Sequence, residues 1–413
     1  MTGMSRKICL GLLLGTTALV STTAAHAGGF AIREQSAEFQ GMSFAGAAAG
    51  GSGLSSMFWN PATITQHEGM KGDYNGSLIM PYGRAKNETG GIAGTADSGN
   101  IGETAVVPAT YSSYQINDMF WVGLGMTAPF GMMTENDPNS RGALYGYKSE
   151  IVTVNINPVV GVKLNDFISV GAGLQVNYMK GDLNNAVGGA EIAQVKGDDW
   201  GVGFTAGITL TPTDTTTVGI GYRSRVKHTL KGTYYNALAG IGLTNVTVDH
   251  TLPDMMTFSI RQDITANLAL TGSVEWTNWS LFDTFDIVDR STGAVVSSTA
   301  YHWTDSWLFA IGGEYKYSDT LTFRAGYAYE DSPVPDSTRG VRVPDNNRHW
   351  LSIGASWVAG DWLTLHAGYS HLFVKDGDVN ITTPVPFTAT YKNHVNIVAV
   401  SATVDTGKLF FGR

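Results

Sequence analysis

The chain has 413 residues, one cysteine, 51 glycines, 11% aromatic residues and a formal net charge of −9. Only 15% of its residues are charged, against about 25% in an ordinary soluble domain. The acidic balance lacks the basic footprint that nucleic acid requires, which excludes that class of partner.

Residues 1–27 read as a signal peptide. Arg6 and Lys7 form a positive n-region, residues 8–20 a short apolar core, and Ala25-His26-Ala27 offers the small residues a signal peptidase accepts. The apolar run is too short for a spanning helix. Cys9 leaves with this segment and is not preceded by a lipobox, so the mature chain, beginning near Gly28, has no disulfide or thiol chemistry. Loss of Arg6 and Lys7 takes the charge to −11.

Residues 28–69 precede the first regular alternation, and their stretch 56–63 shows neither strand alternation nor a helical stripe. They are too apolar for a free tail, with Phe30, Ile32, Phe39, Met42, Phe44, Leu54, Met57, Phe58, Trp59 and Ile64. Interspersed glycines permit tight irregular turns. Such a segment needs an enclosure.

Residues 70–413 supply one. In the stretch 168–178, Ile168, Val170, Ala172, Leu174, Val176 and Tyr178 alternate with Ser169, Gly171, Gly173, Gln175 and Asn177. Stretches 152–164 and 202–210 keep the same two-residue rhythm, which marks strands with one apolar face. Ten or more alternating residues match a tilted strand that crosses a bilayer. About fourteen such segments start near residues 70, 104, 119, 148, 167, 199, 214, 251, 266, 303, 319, 347, 361 and 394. Short connections such as Asn117-Asp118, Asn165-Asp166 and Gly360-Asp361 alternate with long ones at 83–103, 134–147, 183–198, 232–250, 281–302, 331–346 and 375–393. Short turns on one side and long loops on the other predict an all-β, antiparallel transmembrane barrel of the outer membrane. Lipid leaves no other way to pair every backbone N–H and C=O of a strand. Tyr178, Tyr222, Trp276, Trp357 and Tyr369 then belong to aromatic girdles, and residues 28–69 to a hatch in the lumen.

A family resemblance is carried by several blocks. Gly28-Gly29-Phe30 is followed about thirty residues later by Asn60-Pro61-Ala62. Tyr222-Arg223-Ser224, Leu252-Pro253-Asp254-Met255 and Trp276-Thr277-Asn278-Trp279-Ser280 come next. Asp331-Ser332-Pro333-Val334-Pro335, Val343-Pro344-Asp345 and Arg348-His349-Trp350-Leu351-Ser352 complete the set. In these blocks the mature chain resembles the FadL family of outer-membrane transporters of long-chain fatty acids and other hydrophobic compounds. The resemblance implies a fourteen-strand barrel with an N-terminal hatch that includes Phe30, Phe58, Trp59, Asn60, Pro61 and Ala62. It also implies a ligand captured near the outer loops, passed through an apolar pocket and released sideways into lipid where the third strand kinks. That kink falls at Pro129-Phe130-Gly131, where proline cannot donate to a ladder and glycine tolerates a bulge.

Fatty-acid carriers of the family hold the carboxylate with basic residues near the end of strand five and ahead of strand ten. Here those places read Asp182-Leu183-Asn184-Asn185 and Ser297-Ser298-Thr299-Ala300. This departure leaves room for an uncharged ligand such as an aromatic hydrocarbon. Arg223, Arg225, Lys227 and Arg324, read as luminal by parity, are the candidates for the head group. Their competing role is luminal pairing with Glu275, Glu314 or Glu330, or interfacial snorkelling. Enzyme activity is not expected: the nine histidines are scattered, His366 and His371 have opposite parity, and there is no G-x-S-x-G elbow. No cofactor or metal is expected. The expected partners are hydrophobic small molecules and outer-membrane lipid, the expected assembly is a monomeric barrel, and an open diffusion porin is the remaining rival.

Overall fold

The structure is a computed structural model and describes residues 28–92 and 97–411, so the expected signal peptide lies outside the described residues. Twenty strand segments form one antiparallel sheet closed on itself. They are β1 (Met70–Gly90), β2 (Ala105–Gln115), β3 (Phe120–Thr127), β4 (Gly131–Glu135), β5 (Lys148–Lys163), β6 (Ile168–Val187) and β7 (Ala190–Thr213). Then come β8 (Thr216–Arg223), β9 (Val226–Asn236), β10 (Ile241–Leu252), β11 (Met255–Asp263), β12 (Leu268–Thr277), β13 (Thr284–Asp289) and β14 (Val295–Ala300). The last are β15 (Ser306–Lys316), β16 (Leu321–Glu330), β17 (Arg348–Gly360), β18 (Leu363–Val374), β19 (Gly377–Ile381) and β20 (Phe387–Asp405).

Six of the barrel's staves are interrupted, as β3/β4, β8/β9, β10/β11, β12/β13, β14/β15 and β18/β19. Counting each pair once gives the fourteen strands expected from the sequence. The cylinder closes where β1 lies antiparallel to β20, from Lys71 opposite Asp405 to Gly90 opposite Phe387. Closure leaves the ring of described staves without a terminal edge strand, which lipid would not tolerate.

The alternation sorts side chains as the sequence predicts. On β7, Val202 and Phe204 are exposed while Thr205 and Thr209 are buried. On β20, Val398 and Val400 face outward while Ala399, Ser401 and Thr403 face inward. Exposed Trp200, Trp307, Trp357, Trp362 and Tyr315 stand on the same outer surface, where amphipathic rings suit the lipid–water boundary.

The expected long loops are corrected in part. Residues 183–198 are a continuation of β6 and β7, joined by a two-residue hairpin at Gly188-Gly189 with Val187 opposite Ala190. Both glycines have positive φ (+59° and +85°), as a hairpin turn matched to strand twist requires. Residues 232–250 likewise extend β9 and β10, and β13, β14 and β19 occupy other stretches read as loop. Alternation continues there, but polar residues on both faces hid it.

Residues 28–69 lie inside the ring, and almost all of them are buried. They form a single helical turn at Ala37–Gln40, capped by Ser36, and two short 3-10 turns at Leu54–Phe58 and Pro61–Gln66. Their side chains Phe39, Phe44, Phe58 and Trp59 make one cluster with inward-facing Trp121, Leu308, Trp350 and Ile397.

Candidate functional site

The leading segment is tied to inward-facing residues on nearly every side of the ring. Ala37 N donates to Asn75 Oδ1 at 3.0 Å, Gly46 N to Ser273 Oγ at 2.8 Å and Ala48 N to Ser259 Oγ at 3.0 Å. Ser43 and Ser352 hydroxyls meet at 2.7 Å, and Gln40 Nε2 donates to Ser370 Oγ at 2.5 Å. The small polar parity of the strands therefore satisfies a chain that cannot satisfy itself.

Two ion clusters add to these ties. Arg33, fully buried, reaches Glu275 at 2.9 Å and Glu330 at 2.5 Å. Glu38 reaches Arg324 at 3.1 Å, and its carboxylate also accepts from Ser52 N and Oγ. Burial by itself would raise the Glu38 pKa, but Arg324, His366 and the Ser52 donors outweigh it and hold it at about 2. Glu34 has only its own backbone N–H as a donor. Burial pushes its pKa up to about 7, with Arg33 only partly offsetting the effect.

Asn60-Pro61-Ala62 sits against the wall at β6, β7 and β8. Asn60 Nδ2 donates to Ala48 O at 2.8 Å, Ile208 O at 3.0 Å and Thr209 Oγ1 at 3.2 Å, while its Oδ1 accepts from Ala62 N at 3.0 Å. Pro61 opens the 3-10 turn, where a missing N–H costs nothing. Glycines on the wall make room. A Cβ on Gly221 would lie 1.7 Å from Trp59 O, and one on Gly171 would lie 2.5 Å from Ala62 N.

The third stave breaks at residues 128–130, between β3 and β4. Thr127 opposes Asn155 on β5 and Gly131 opposes Val152, so four steps on this stave match three on its neighbour. The extra residue is a bulge, and it turns the backbone inward. The freed backbone groups pair with the leading segment: Ile32 N donates to Pro129 O and Gly131 N to Phe30 O, both at 2.8 Å. On the other side, β2 pairs with β3 only from Thr110 onward, and pairing resumes beyond β2 at Gly102 opposite Thr134. The wall thus has an interval beside Ala105, Val107 and Ala109 in which the second and third staves share no ladder.

Phe30 connects this break to an apolar cavity. Its ring lies 6.2 Å from Phe130, 4.6 Å from Trp279 and 5.7 Å from Trp303. Above it the cavity, about 690 Å³, is lined by Met132, Ile151, Met179, Leu230, Val246 and Phe282 among others. A larger and more polar vestibule of about 2130 Å³ lies among the loops and shares Leu183, Phe285, Tyr301, Trp303 and Arg342 with the cavity. Vestibule, cavity, Phe30 and the broken stave are contiguous.

The four basic candidates separate. Arg223 is buried against the leading segment: it donates to Phe58 O at 3.0 Å and to Gln175 Oε1 at 2.7 Å, with its guanidinium 4.4 Å above the Phe58 ring. Arg324 is held by Glu314 and Glu38. The luminal reading of Arg225 and Lys227 is corrected, since both are exposed. Thr205 on β7 pairs with Arg223 and Asp198 with Lys231, so seven steps on β7 face eight across the β8/β9 break. One inserted residue moves every later side chain to the other face. Arg225 meets Asp254 at 3.2 Å instead.

Sequence reasoning missed Arg342. It lies in the 331–347 connection, where no periodicity assigns a direction, and its signal was only that it is a cation next to the Val343-Pro344-Asp345 block. Its guanidinium donates to Lys148 O, Ser149 Oγ, Asn184 O and Asn185 Oδ1 at 2.8–3.0 Å.

The profile of the family described as "Outer membrane protein transport protein (OMPP1/FadL/TodX)" matches residues 18–405. The chain belongs to this family. As a member of the FadL/TodX family of outer-membrane transport proteins, it is 29% identical over 397 residues to the "Long-chain fatty acid transport protein" of Escherichia coli O6:H1 (strain CFT073), with 86% of this chain and 89% of that one aligned. Its fold is that of the Pseudomonas aeruginosa FadL homologue, with a TM-score of 0.86 at 24% identity, covering 92% of this chain and 100% of that chain. The Ralstonia pickettii toluene transporter TbuX superposes with a TM-score of 0.66 at 18% identity, covering 89% and 98%.

Proposed function

We propose that this FadL/TodX family member carries long-chain fatty acids or similar hydrophobic compounds passively across the outer membrane, after export directed by residues 1–27. The ligand enters the vestibule, settles in the apolar cavity over Phe30 and leaves sideways between the second and third staves. Residues 28–69 act as the hatch, with Asn60-Pro61-Ala62 as its anchor and Phe30 as the moving contact. The observation that carries this reading is that Phe30 touches both the cavity and Phe130 at the stave break. Lateral exit is favoured physically, because an acyl chain entering periplasmic water would lose about 0.8 kcal/mol per CH₂ of burial.

A second ligand class, aromatic hydrocarbons, is supported by the rings of Phe282, Phe285, Tyr301 and Trp303 in the lining. The test is reconstitution into vesicles, with oleate and an alkylbenzene supplied outside and their arrival in the bilayer followed over time. Faster arrival than in protein-free vesicles supports transport, and equal rates reject it. Planar-bilayer recording separates the porin rival: a large steady ion current would favour an open pore.

A further inference from the structure

We propose that the box of rings around Phe30 takes a phenol. The ligand ring enters in place of the Phe30 ring, and its hydroxyl meets nitrogens of His250, Trp279 and Trp303 that have no partner while Phe30 is seated. The inference rests on the transport reading above, in its aromatic form, and adds the polar group that the ligand carries.

Three observations carry it. First, the box suits an aromatic ring. Phe130, His250, Trp279, Phe282 and Trp303 surround Phe30 with ring centroids 4.6–6.2 Å away, three of them edge-to-face. His250, Phe282 and Trp303 also line the apolar cavity, which gives a ligand its way in. Second, His250 Nε2, Trp279 Nε1 and Trp303 Nε1 are buried without a hydrogen-bond partner among the described residues. Trp121 and Trp350, comparably buried, donate to His67 O at 2.9 Å and to Glu330 Oε2 at 3.0 Å. Buried polar groups are nearly always paired, so three unpaired nitrogens on rings packed around one side chain call for a cause. Third, these groups define what satisfies them. An indole N–H only donates, while Nε2 of a neutral imidazole accepts when the proton sits on Nδ1. Two donors and one acceptor are the complement of a single hydroxyl, which has two lone pairs and one hydrogen.

The phenyl ring of Phe30 fills the box but offers nothing polar, so its seated position leaves three hydrogen bonds unmade. A phenol matches the ring and supplies the bonds. A hydrocarbon matches the ring alone. A carboxylate only accepts, so it leaves the imidazole acceptor unmade and sets a charge against the rings. Ligand and Phe30 compete for one space, and the hydroxyl tips the competition toward the ligand.

Equilibrium dialysis of the purified protein in non-ionic micelles, against protein-free micelles, measures binding of para-butylphenol, butylbenzene and oleate with micelle partition cancelled. The wild-type chain should hold the phenol about tenfold tighter than the hydrocarbon, the gain expected when buried groups acquire their missing hydrogen bonds. His250→Phe should bring that ratio down to about one. Phe30→Ala should tighten phenol binding several-fold, because the competing ring is gone. Equal weakening of phenol and hydrocarbon in His250→Phe would show lost packing only and overturn the proposal, as would phenol binding that Phe30→Ala leaves unchanged. So would a wild-type chain that binds phenol and hydrocarbon equally, a comparison that stands even if the variants fail to assemble. Binding of oleate but of neither aromatic compound would overturn this inference and leave the transport reading standing. Binding of none of the three would overturn the transport reading itself.

Discussion

At the scale of single residues, contact between the bore and the leading segment is set by what is missing from the wall. Gly221 has no Cβ, and Trp59 O occupies the space that one would need. Gly221→Ala forces backbone apart, an overpacking cost of about 1–3 kcal/mol. Guanidinium unfolding in micelles should show that loss, and residues 28–69 should become cleavable by protease while strand content stays unchanged. Glu34 makes the same region pH-dependent. Both of its carboxyl oxygens are buried without a partner from another residue. Burial raises its pKa from an ordinary 4.5 to about 7. The neutral carboxyl is therefore the form that fits, so the stabilisation is complete below pH 4.5 and is lost as the pH rises toward 7, on the order of 3 kcal/mol in all. Amide exchange of residues 28–69, corrected for the intrinsic rate, should be faster at pH 8 than at pH 5. Glu34→Gln should flatten that difference, and a wild-type chain without it would refute the assignment.

At the scale of elements, interrupted staves matter more than continuous ones. The break at residues 128–130 gives main-chain groups to residues 30–32, with Gly131 N donating to Phe30 O at 2.8 Å. Gly131→Ile should lower vesicle uptake several-fold with an unchanged circular dichroism spectrum; unchanged uptake would remove the stave break from the path. Breaks also mark where the sequence stops being readable. Period-two alternation identified the strands because it persists for ten residues or more, and the composition of residues 28–69 pointed to an enclosed segment because aromatics seldom stay in water. Parity beyond a bulge was not legible, since nothing in Arg223-Ser224-Arg225 announces an inserted residue. For that reason Arg225 and Lys227 were placed on the wrong face. Arg342 was hidden for a different reason: a loop side chain takes its direction from tertiary contacts with Lys148 and Asn184, which local pattern does not encode.

At the scale of the whole molecule, the outer surface must suit hydrocarbon. Val400 is 58% exposed near the middle of the membrane-crossing part of β20, between Gly76 and Ala367 on the adjacent staves. Val400→Arg should destabilise the barrel by about 2–4 kcal/mol, as a cation does near the bilayer midplane. Val400→Leu should cost less than about 1.5 kcal/mol. Unfolding in lipid vesicles measures both, and equal effects would show that this surface does not meet acyl chains. One cylinder thus has two surfaces with opposite demands, a lipid-facing one that asks for apolarity alone and an inner one that asks for shape.

That asymmetry sets how such a protein can diverge. Acyl chains are fluid and accept any greasy contour, so the exterior is free to wander through valine, leucine, isoleucine and phenylalanine without penalty. The inner glycines that touch Trp59 and Ala62 have no such freedom, because even one methyl group meets main chain. Lineages descended from this chain should therefore change quickly on the outside and slowly along the seam where the filling rests.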